Sequence, residues 1–384
     1  MAASIRSIQT AVPPTELAQE RVRELFAAQP ELTRLGRRLV ATSFDSSGIR
    51  TRHTVLDELA ADGSAPTELF VDPATGAFSS PSTGERNRLY VEHAPGLAVT
   101  AARRAIDALA PGITAADVTH VVTASCTGFF APGPDWALQR ELGLRDDVQR
   151  HHVGFMGCYA AFPALRIAAA FCAADPDAVV LVVCVELCTL HVRSSNEPDQ
   201  IVASSVFADG AAAAVVTARE TGESAYPRLE LDRFSSAVVP DGEADMAWTI
   251  GDHGFEMVLS SYVPKIIEQN IRSALDPLLG EAGAGAATHW AIHPGGRSIL
   301  DRVEQTLGLS PAQLAPSREV LRDFGNMSSA TVLFVLKAIL DQALVTGTMD
   351  ARPAASRPVE RVCAVAFGPG LTVESGLFTL RPAG

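Results

Sequence analysis

The sequence lacks any segment typical of export or membrane insertion. Its N-terminus, Met-Ala-Ala-Ser-Ile-Arg, has no apolar core of the kind that a signal peptide contains. The most apolar run, residues 178–190, is too short to span a bilayer and includes Glu186. We therefore expect a cytoplasmic protein without a membrane span, in which this run forms a buried strand.

Positive charge is also scarce. The chain has 31 Lys and Arg residues against 44 Asp and Glu residues, a net charge of −13. This charge disfavours non-specific binding to nucleic acid or acidic membranes, so we expect no nucleic acid partner. An anionic ligand would need a local basic patch, although a row of charges is more often a solvated helix face. The candidates are Arg21, Arg23, Arg34, Arg37, Arg38, Arg50 and Arg52.

The six cysteines form neither a secreted disulfide framework nor a zinc pattern. They lie at 126, 158, 172, 184, 188 and 363, mostly inside apolar runs. Cys184 and Cys188 are four residues apart, but no second pair or histidine cluster completes a metal site. We expect a reduced protein without a bound metal.

What the chain does contain is an alternation of apolar strands and helices with a large hydrophobic share, 47%. This pattern predicts an α/β fold with buried strands. The order of elements is similar before and after a connection at residues 219–228, although no exact repeat is present. We expect two similar halves, residues 1–220 and 221–384, that enclose a buried site.

Three segments are predicted with less regular structure. Residues 15–40 are predicted as a helix that breaks near Pro30, and residues 61–90 as an irregular loop because they are rich in Gly, Ser, Pro and Thr. A loop is also expected around residues 196–199. The helix after residue 90 is predicted to cover residues 96–109.

Cys158 is the first candidate for chemistry. It follows a Gly-containing turn and opens an alanine-rich apolar segment that is predicted as a helix over residues 159–174. A thiol at a helix N-terminus is favoured as thiolate by the helix dipole and by the free backbone N–H groups. A buried cysteine is nevertheless usually inert, so this role requires a base and an anion-stabilising donor elsewhere.

Three motifs in the second half supply these partners. His293 ends an apolar strand before a Gly-Gly turn, Asn326 lies in a turn that opens a helix, and residues 366–374 form a Gly-Pro-Gly loop between strands. Alone, each has an ordinary structural explanation: a core histidine, a helix cap and a turn. Together they fit a thiolate that needs an imidazole and a thioester that needs N–H donors. Because no carboxylate completes the set, acyl transfer with carbanion formation is favoured over a hydrolytic triad.

The chain resembles the type III polyketide synthases, the chalcone-synthase-like branch of the thiolase superfamily. The matching motifs occur in the family's order and the resemblance runs over nearly the whole chain. One departure is Ala366, where the family usually has glycine. The motifs are residues 154–161, 292–296, 325–329 and 367–373.

The resemblance implies a thiolase-like αβαβα fold in a homodimer that uses coenzyme A thioesters, acyl-CoA and malonyl-CoA, without a metal or redox cofactor. Cys158 would be the nucleophile that carries the growing chain. His293 and Asn326 would stabilise the oxyanion and assist decarboxylation of malonyl-CoA. Phe207 and Phe255 would be the two gatekeeper phenylalanines between the CoA tunnel and the cavity.

The resemblance also places cavity residues, and these depart from the plant enzymes. Cys126 and Cys188 resemble those of bacterial members, and Ala131 takes the place of a methionine that reaches into the partner subunit's cavity. Residues 251–263 look most like the alkylpyrone and alkylresorcinol synthases, so we expect a fatty acyl starter and a pyrone or resorcinol product. The predicted substrate-binding set is Cys126, Thr127, Cys188, His191, Phe207, Phe255, Gly295, Gly296 and Ser328.

Three alternatives stay open at this point. A malonyl-CoA-primed synthase would make a tetrahydroxynaphthalene, phloroglucinol or dihydroxyphenylacetyl-type product. A ketoacyl-ACP synthase III of the same superfamily would also use Cys, His and Asn. A non-enzymatic partner protein is the third, and the presence of all three residue types argues against it.

Overall fold

The structure, a computed structural model, describes residues 2–60, 69–220, 226–240, 242–349 and 359–383. Within these residues, strands and α-helices alternate as expected for an α/β fold. The strands are β1 Ser4–Ala11, β2 Thr15–Ala18, β3 Thr51–Thr54, β4 His120–Ser125, β5 Gln149–Gly154, β6 Val179–Leu187, β7 Asp209–Thr217, β8 Arg228–Val238, β9 Met246–Gly251, β10 Gly254–Leu259, β11 His289–Ile292, β12 Glu360–Gly368 and β13 Thr372–Arg381. The helices are α1 Gln19–Ala27, α2 Arg34–Ser46, α3 Thr83–Asp107, α4 Pro134–Leu142, α5 Ala161–Ala174, α6 Pro198–Val206, α7 Val263–Leu279, α8 Arg297–Leu307, α9 Pro311–Phe324 and α10 Thr331–Met349.

Nine strands form one sheet in the order β11-β12-β13-β8-β1-β7-β6-β4-β5. The two halves of the sheet meet where β1 pairs with β8, opposite Glu230 and Leu229. β4 runs parallel to both β5 and β6, and β11 runs parallel to β12. Parallel strands place their carboxyl ends at one edge, which is where α/β folds build their sites. The candidate residues Cys126, Cys158, Cys188 and His293 all follow such strand ends.

The core shows why the halves stack into layers. Helices α5 and α10 each pack against strands of both halves: α5 on β4, β6, β7, β8 and β13, and α10 on β1, β7, β11 and β12. Helix α3 covers the other face of the first half, and α7 to α9 cover that of the second half. Separate apolar clusters fill the central and the two outer interfaces. The predicted αβαβα order is therefore confirmed.

The buried strand predicted within residues 178–190 agrees with β6, but the predicted starts of two helices were wrong. Residues 15–18 form strand β2, paired with β3, so the helix predicted from residue 15 begins only at Gln19. Helix α3 begins at Thr83, inside the predicted loop, because Ser82 and Glu85 form a reciprocal capping box. Residues 61–68 of that loop lie outside the described residues.

Two further helices and a two-stranded ribbon were missed. Helix α6 occupies the expected loop after residue 196 and begins with Pro198, and α9 begins with Pro311. A proline at the first helical position is a start signal, since its missing N–H has no intrahelical partner there. Strands β9 and β10 form a two-stranded ribbon. Residues 221–225 of the predicted connection are outside the described residues, so the division after residue 220 stays a prediction.

Two helical stretches, Gly157–Ala174 and Ser328–Thr346, are long and apolar enough by composition to cross a membrane. Both belong to the central layer, where their apolar side chains pack against the two halves of the sheet. Their hydrophobicity is accounted for by this burial.

The central layer makes a stability prediction. Leu165 on α5 is 1% exposed, whereas Leu35 on α2 is 66% exposed. We expect Leu165→Ala to lower the free energy of unfolding by about 2–5 kcal/mol, because it removes buried contacts and leaves a cavity. Leu35→Ala should change it by less than about 0.5 kcal/mol. Urea denaturation of the two variants and the wild type measures the difference, and equal losses would contradict the layered packing.

Candidate active site

Cys158 lies in a strained turn between a strand and a helix. Strand β5 ends at Gly154, Phe155 has φ 56° and Gly157 has φ 77°. Cys158 occupies a 3-10 turn, and α5 begins only at Ala161. Positive φ at a non-glycine residue costs about 1–3 kcal/mol and occurs mostly at functional sites. The sequence had predicted a helix that begins directly after Cys158. The thiol instead lies about one turn before the helix.

The Gly-Pro-Gly loop packs directly on this turn. A Cβ added at Gly157 would lie 2.5 Å from Cδ of Pro369, and a Cβ at Gly368 would clash with the Tyr159 ring. Both positions therefore require glycine because another chain segment approaches the backbone closely. This contact gives the loop its role: it supports the turn that carries Cys158.

His293 follows strand β11 and is held by its backbone, whose N–H donates to the Val365 carbonyl at 2.8 Å. Its side chain is buried, and neither ring nitrogen has a hydrogen-bond partner among the described residues. Buried polar atoms are rarely left unpaired, and exceptions occur at catalytic positions. The ring is one wall of a large cavity that Cys158 also lines.

Asn326 is fixed on both sides. Its N–H donates to the Val206 carbonyl, and its carbonyl accepts from the Ala208 N–H, both at 2.9 Å. Its Oδ1 accepts from the Ser328 N–H at 2.9 Å, which leaves the Nδ2 group as the free donor of the amide. Nδ2 has only a long contact of 3.5 Å to the Gly295 carbonyl. Asn326 can therefore offer N–H donors to a ligand in the cavity.

Burial governs the titration of these groups. It raises the pKa of the Cys158 thiol to about 11, and side-chain contacts with Ser328 and Asn326 oppose this only in part. It also lowers the pKa of His293 to about 3. Burial therefore opposes the stabilisation of the thiolate that we expected from the helix N-terminus. Formation of a thiolate requires an acceptor for its proton, and the unpartnered imidazole can be that acceptor.

The cavity, which we name the reaction cavity, has a volume of about 490 Å³ and mostly apolar walls. It brings together all three predicted catalytic residues and seven of the predicted substrate-binding residues. Besides Cys158, His293 and Asn326, these are Cys126, Thr127, Cys188, Phe207, Gly295, Gly296 and Ser328.

Two predicted residues lie elsewhere. His191 and Phe255 do not line the reaction cavity; they line a smaller space of about 40 Å³ behind it. Ala131 lines neither cavity and belongs to a surface depression with Phe129 and Trp136. The role of Phe255 as a gatekeeper therefore stays a prediction.

The wall formed by the β9–β10 ribbon was missed from the sequence. The side chains of one face of this ribbon point into the reaction cavity. A signal was present, because apolar residues alternate at residues 246–250 and again at residues 255–259 around an Asp-His-Gly turn. The lining residues from this face are Met246, Trp248, Met257 and Leu259.

A buried carboxylate behind the cavity was missed as well. Glu186 is fully buried, and burial raises its pKa. It accepts hydrogen bonds from the Cys126 N–H at 3.0 Å, Thr127 Oγ1 at 2.9 Å and Ser329 Oγ at 2.5 Å. The hydroxyl of Thr127 is thus committed to Glu186, so this carboxylate orients the cavity wall.

The mouth of the cavity has few cations. It is lined by serines of α2 and by the start of α8, where Arg297 lies 3.5 Å from Asp301. The predicted basic patch does not reach this lining. Arg52 is buried and donates to the carbonyls of Ser204 and Phe207, and Arg50 pairs with Asp323. Among the described residues there is also no cluster of His, Cys, Asp and Glu that could hold a metal ion.

Comparison with known proteins gives the family. Residues 1–220 match the model of the chalcone and stilbene synthase N-terminal domain, and residues 230–381 match that of the C-terminal domain. The chain is 34% identical over 367 residues to the alpha-pyrone synthesis polyketide synthase-like Pks18 of Mycobacterium tuberculosis, covering 94% of this chain and 86% of that protein.

Two solved structures share the fold. Polyketide synthase PKS-I of the brown alga Ectocarpus siliculosus has a TM-score of 0.88 at 27% identity, with 99% of this chain and 98% of that chain covered. The C-terminal type III polyketide synthase domain of Steely1 from Dictyostelium has a TM-score of 0.84 at 28% identity, with both chains covered completely (100%). The chain therefore belongs to the chalcone and stilbene synthase family and is a type III polyketide synthase with a thiolase-like fold.

Proposed function

We propose that the enzyme loads an acyl group from acyl-CoA on Cys158, extends it with malonyl-CoA and cyclises the product to a pyrone or resorcinol. The observation that carries this proposal is the convergence of Cys158, His293 and Asn326 on one apolar cavity. The proposal uses CoA thioesters as substrates and no metal or redox cofactor.

Loading begins with transfer of the Cys158 proton to His293. The thiolate attacks the acyl carbon of the CoA thioester, so a new C–S bond forms while the bond to the CoA sulfur breaks. The proton on the imidazole then neutralises the departing CoA thiolate. The neutral state of His293, which its burial maintains, suits it to accept the proton in the first step.

Extension uses His293 and Asn326 as hydrogen-bond donors. The thioester carbonyl oxygen of malonyl-CoA would accept hydrogen bonds from the His293 ring and from Nδ2 of Asn326. The bond between the methylene carbon and the carboxylate breaks, and carbon dioxide leaves. The electron pair of that bond stays with the methylene carbon and forms an enolate, whose oxyanion the two donors stabilise. The enolate carbon attacks the acyl group on Cys158, and the cysteine leaves as thiolate. Glu186 stays behind the wall and is hydrogen-bonded, so it does not face the oxyanion.

A fatty acyl starter fits the walls of the reaction cavity. Alkyl groups are provided by Val202 and Val206 from α6, and by Met246 and Leu259 from the ribbon. Burial of an acyl chain against them contributes about 0.8 kcal/mol for each methylene group. The name of the relative Pks18 refers to alpha-pyrone synthesis, which supports a pyrone as the product.

A malonyl-CoA-primed reaction is the second candidate. Cys126 and Cys188 both line the reaction cavity, in agreement with the bacterial members that they resemble. Incubation with labelled malonyl-CoA alone, and with a panel of acyl-CoA starters, separates the two candidates by the mass of the product. Product from malonyl-CoA alone would favour the second candidate, and no product with any starter would overturn the proposed function.

We also propose a homodimer. Strand β5 is the edge of the sheet, and beside it Phe129 and Trp136 are 39% and 36% exposed. An edge strand with apolar neighbours is a template for pairing with a second copy. Analytical ultracentrifugation should give twice the mass of the chain, and a monomer at micromolar concentration would refute the dimer.

The nucleophile is tested by a pair of cysteine variants. Cys172 on α5 is buried, with its sulfur 3.8 Å from the Val216 carbonyl, and does not line the reaction cavity. We expect Cys158→Ala to abolish condensation with malonyl-CoA and Cys172→Ala to keep most of it, because only Cys158 can form the acyl-enzyme. Mass spectrometry of the trapped acyl-enzyme and of the product measures both, and equal losses would exclude the special role of Cys158.

The role of His293 as proton acceptor predicts a shift in a pH profile. In His293→Ala the thiol of Cys158 has no imidazole to accept its proton. Because burial raises the pKa of this thiol to about 11, we expect the thiolate fraction to grow about tenfold for each pH unit up to that value. We expect alkylation of Cys158 by iodoacetamide to be slow at neutral pH in this variant and to rise steeply with pH. The wild type should react at neutral pH.

His289→Ala is the matched control, since His289 begins the strand that leads to His293 and contacts Glu360 at 2.8 Å instead of the cavity. Its alkylation profile should follow that of the wild type. Superimposable profiles for His293→Ala and the wild type would rule out proton transfer between Cys158 and His293.

A further inference from the structure

Behind the reaction cavity lies a second apolar space, which we name the side chamber. Its volume is about 40 Å³, and its apolar walls include Leu17, Val22, Phe26 and Leu59. This volume holds about one water molecule. The wall that it shares with the reaction cavity consists of Cys188, Phe207, Trp248 and Met257.

Trp248 is the largest side chain of this shared wall, and its position is fixed by a hydrogen bond and by ring contacts. Its indole N–H donates to the Cys126 carbonyl at 3.1 Å, which ties the ribbon to the end of β4. Its ring has edge-on contacts to the rings of Phe207, Phe255 and His191, with centroids at 6.1, 6.0 and 5.8 Å. A hydrogen bond and three aromatic neighbours restrict its rotation.

His191 contacts Trp248 and acts as a clamp: its ring connects the β9–β10 ribbon to Thr127 through two hydrogen bonds. The Phe255 N–H donates to Nδ1 of His191 at 3.0 Å, so Nδ1 has no proton and Nε2 carries it. Nε2 donates in turn to the Thr127 carbonyl at 2.8 Å. The ring also stacks on Phe255, with centroids 4.0 Å apart and planes at 13°. One neutral imidazole therefore joins β10 to the segment that carries Thr127.

The backbone on either side of His191 is held independently. Arg86 on α3 is fully buried and donates to the carbonyls of Leu190 and Val192, at 2.6 and 2.9 Å. These bonds fix the main chain just before and just after the histidine. Arg86 thus fixes the backbone of His191, and the His191 ring in turn holds the rings of Trp248 and Phe255 in position.

We propose that Trp248, held by His191 and Phe255, is a partition that limits the length of the acyl chain in the reaction cavity. An alkyl chain that starts at Cys158 and runs along the apolar wall ends against this partition and cannot enter the side chamber. Trp248 is therefore a specificity-determining residue, and His191 is a positioning residue that does not touch the substrate. This inference rests on the proposed acyl loading of Cys158.

The experiment measures how long an acyl group each variant accepts. Wild type, Trp248→Ala and Ile250→Ala are incubated with saturated acyl-CoAs from hexanoyl to stearoyl without malonyl-CoA, and the acyl adduct on Cys158 is measured by mass spectrometry. Trp248→Ala should load starters beyond the wild-type limit at least about tenfold faster, because removal of the indole joins the two spaces. Ile250→Ala should keep the wild-type limit, since Ile250 is on the same strand, is 53% exposed and lines neither space.

The clamp is tested by two substitutions of the histidine. His191→Leu, which removes both hydrogen bonds, should raise the limit in the same direction as Trp248→Ala. His191→Gln retains one donor and one acceptor and should restore a limit close to that of the wild type. A role in folding alone would lower the melting temperature without moving the length limit.

An unchanged limit in folded Trp248→Ala, or an equal shift in Ile250→Ala, would overturn the partition. If Trp248→Ala does not fold, Trp248→Phe and His191→Leu carry the same test. If the wild type forms no adduct with any starter, the proposed function fails. The partition is then tested by displacement of a bound fluorescent polyene fatty acid with saturated fatty acids of increasing length, where identical length profiles for wild type and variants would refute it.

Discussion

The packing of two apolar helices between the halves of the sheet is the constraint on which the active site depends. Helices α5 and α10 each contact strands of both halves, so their positions relative to one another are set by the whole core. The turn with Cys158 precedes α5, and the turn with Asn326 precedes α10. Because both helices begin at the same end of the layer, the turns that precede them contact each other. Cys158 and Asn326, the proposed nucleophile and the proposed amide donor, therefore meet as a consequence of core packing.

Burial then decides how these groups behave. A thiol in this environment resists ionisation and an imidazole resists protonation, so neither Cys158 nor His293 is charged by itself. The proposed chemistry therefore depends on proton transfer between the two, and the low dielectric that penalises each charge also strengthens the attraction between the two charges once formed. The same burial holds Glu186 in a network of donors behind the wall, where its carboxylate orients Cys126 and Thr127.

The walls of the cavity are separate from the chemistry. The proposed catalytic residues follow strand ends or precede the central helices, whereas much of the wall comes from the β9–β10 ribbon, which stands outside the main sheet. A wall carried by its own small element can change its side chains without disturbing the strands that hold Cys158 and His293. In this chain the ribbon contributes Trp248, which is tied back to Cys126 and supported by His191.

The sequence by itself determined the alternation of strands and helices and the family, and it predicted Cys158, His293 and Asn326 as the catalytic residues. These features depend on local patterns: apolar runs, glycines at close approaches, and motifs in a set order. Helix starts at Thr83 and Pro311 also had local signals, a capping box and an N-terminal proline, and were overlooked. Only the tertiary structure decided where His191, Phe255 and Trp248 point and which residues share Glu186. Such placements depend on contacts between segments far apart in the chain, for which no local pattern exists. The raised pKa of Cys158 has the same origin, since the burial of a thiol is a property of the assembled core.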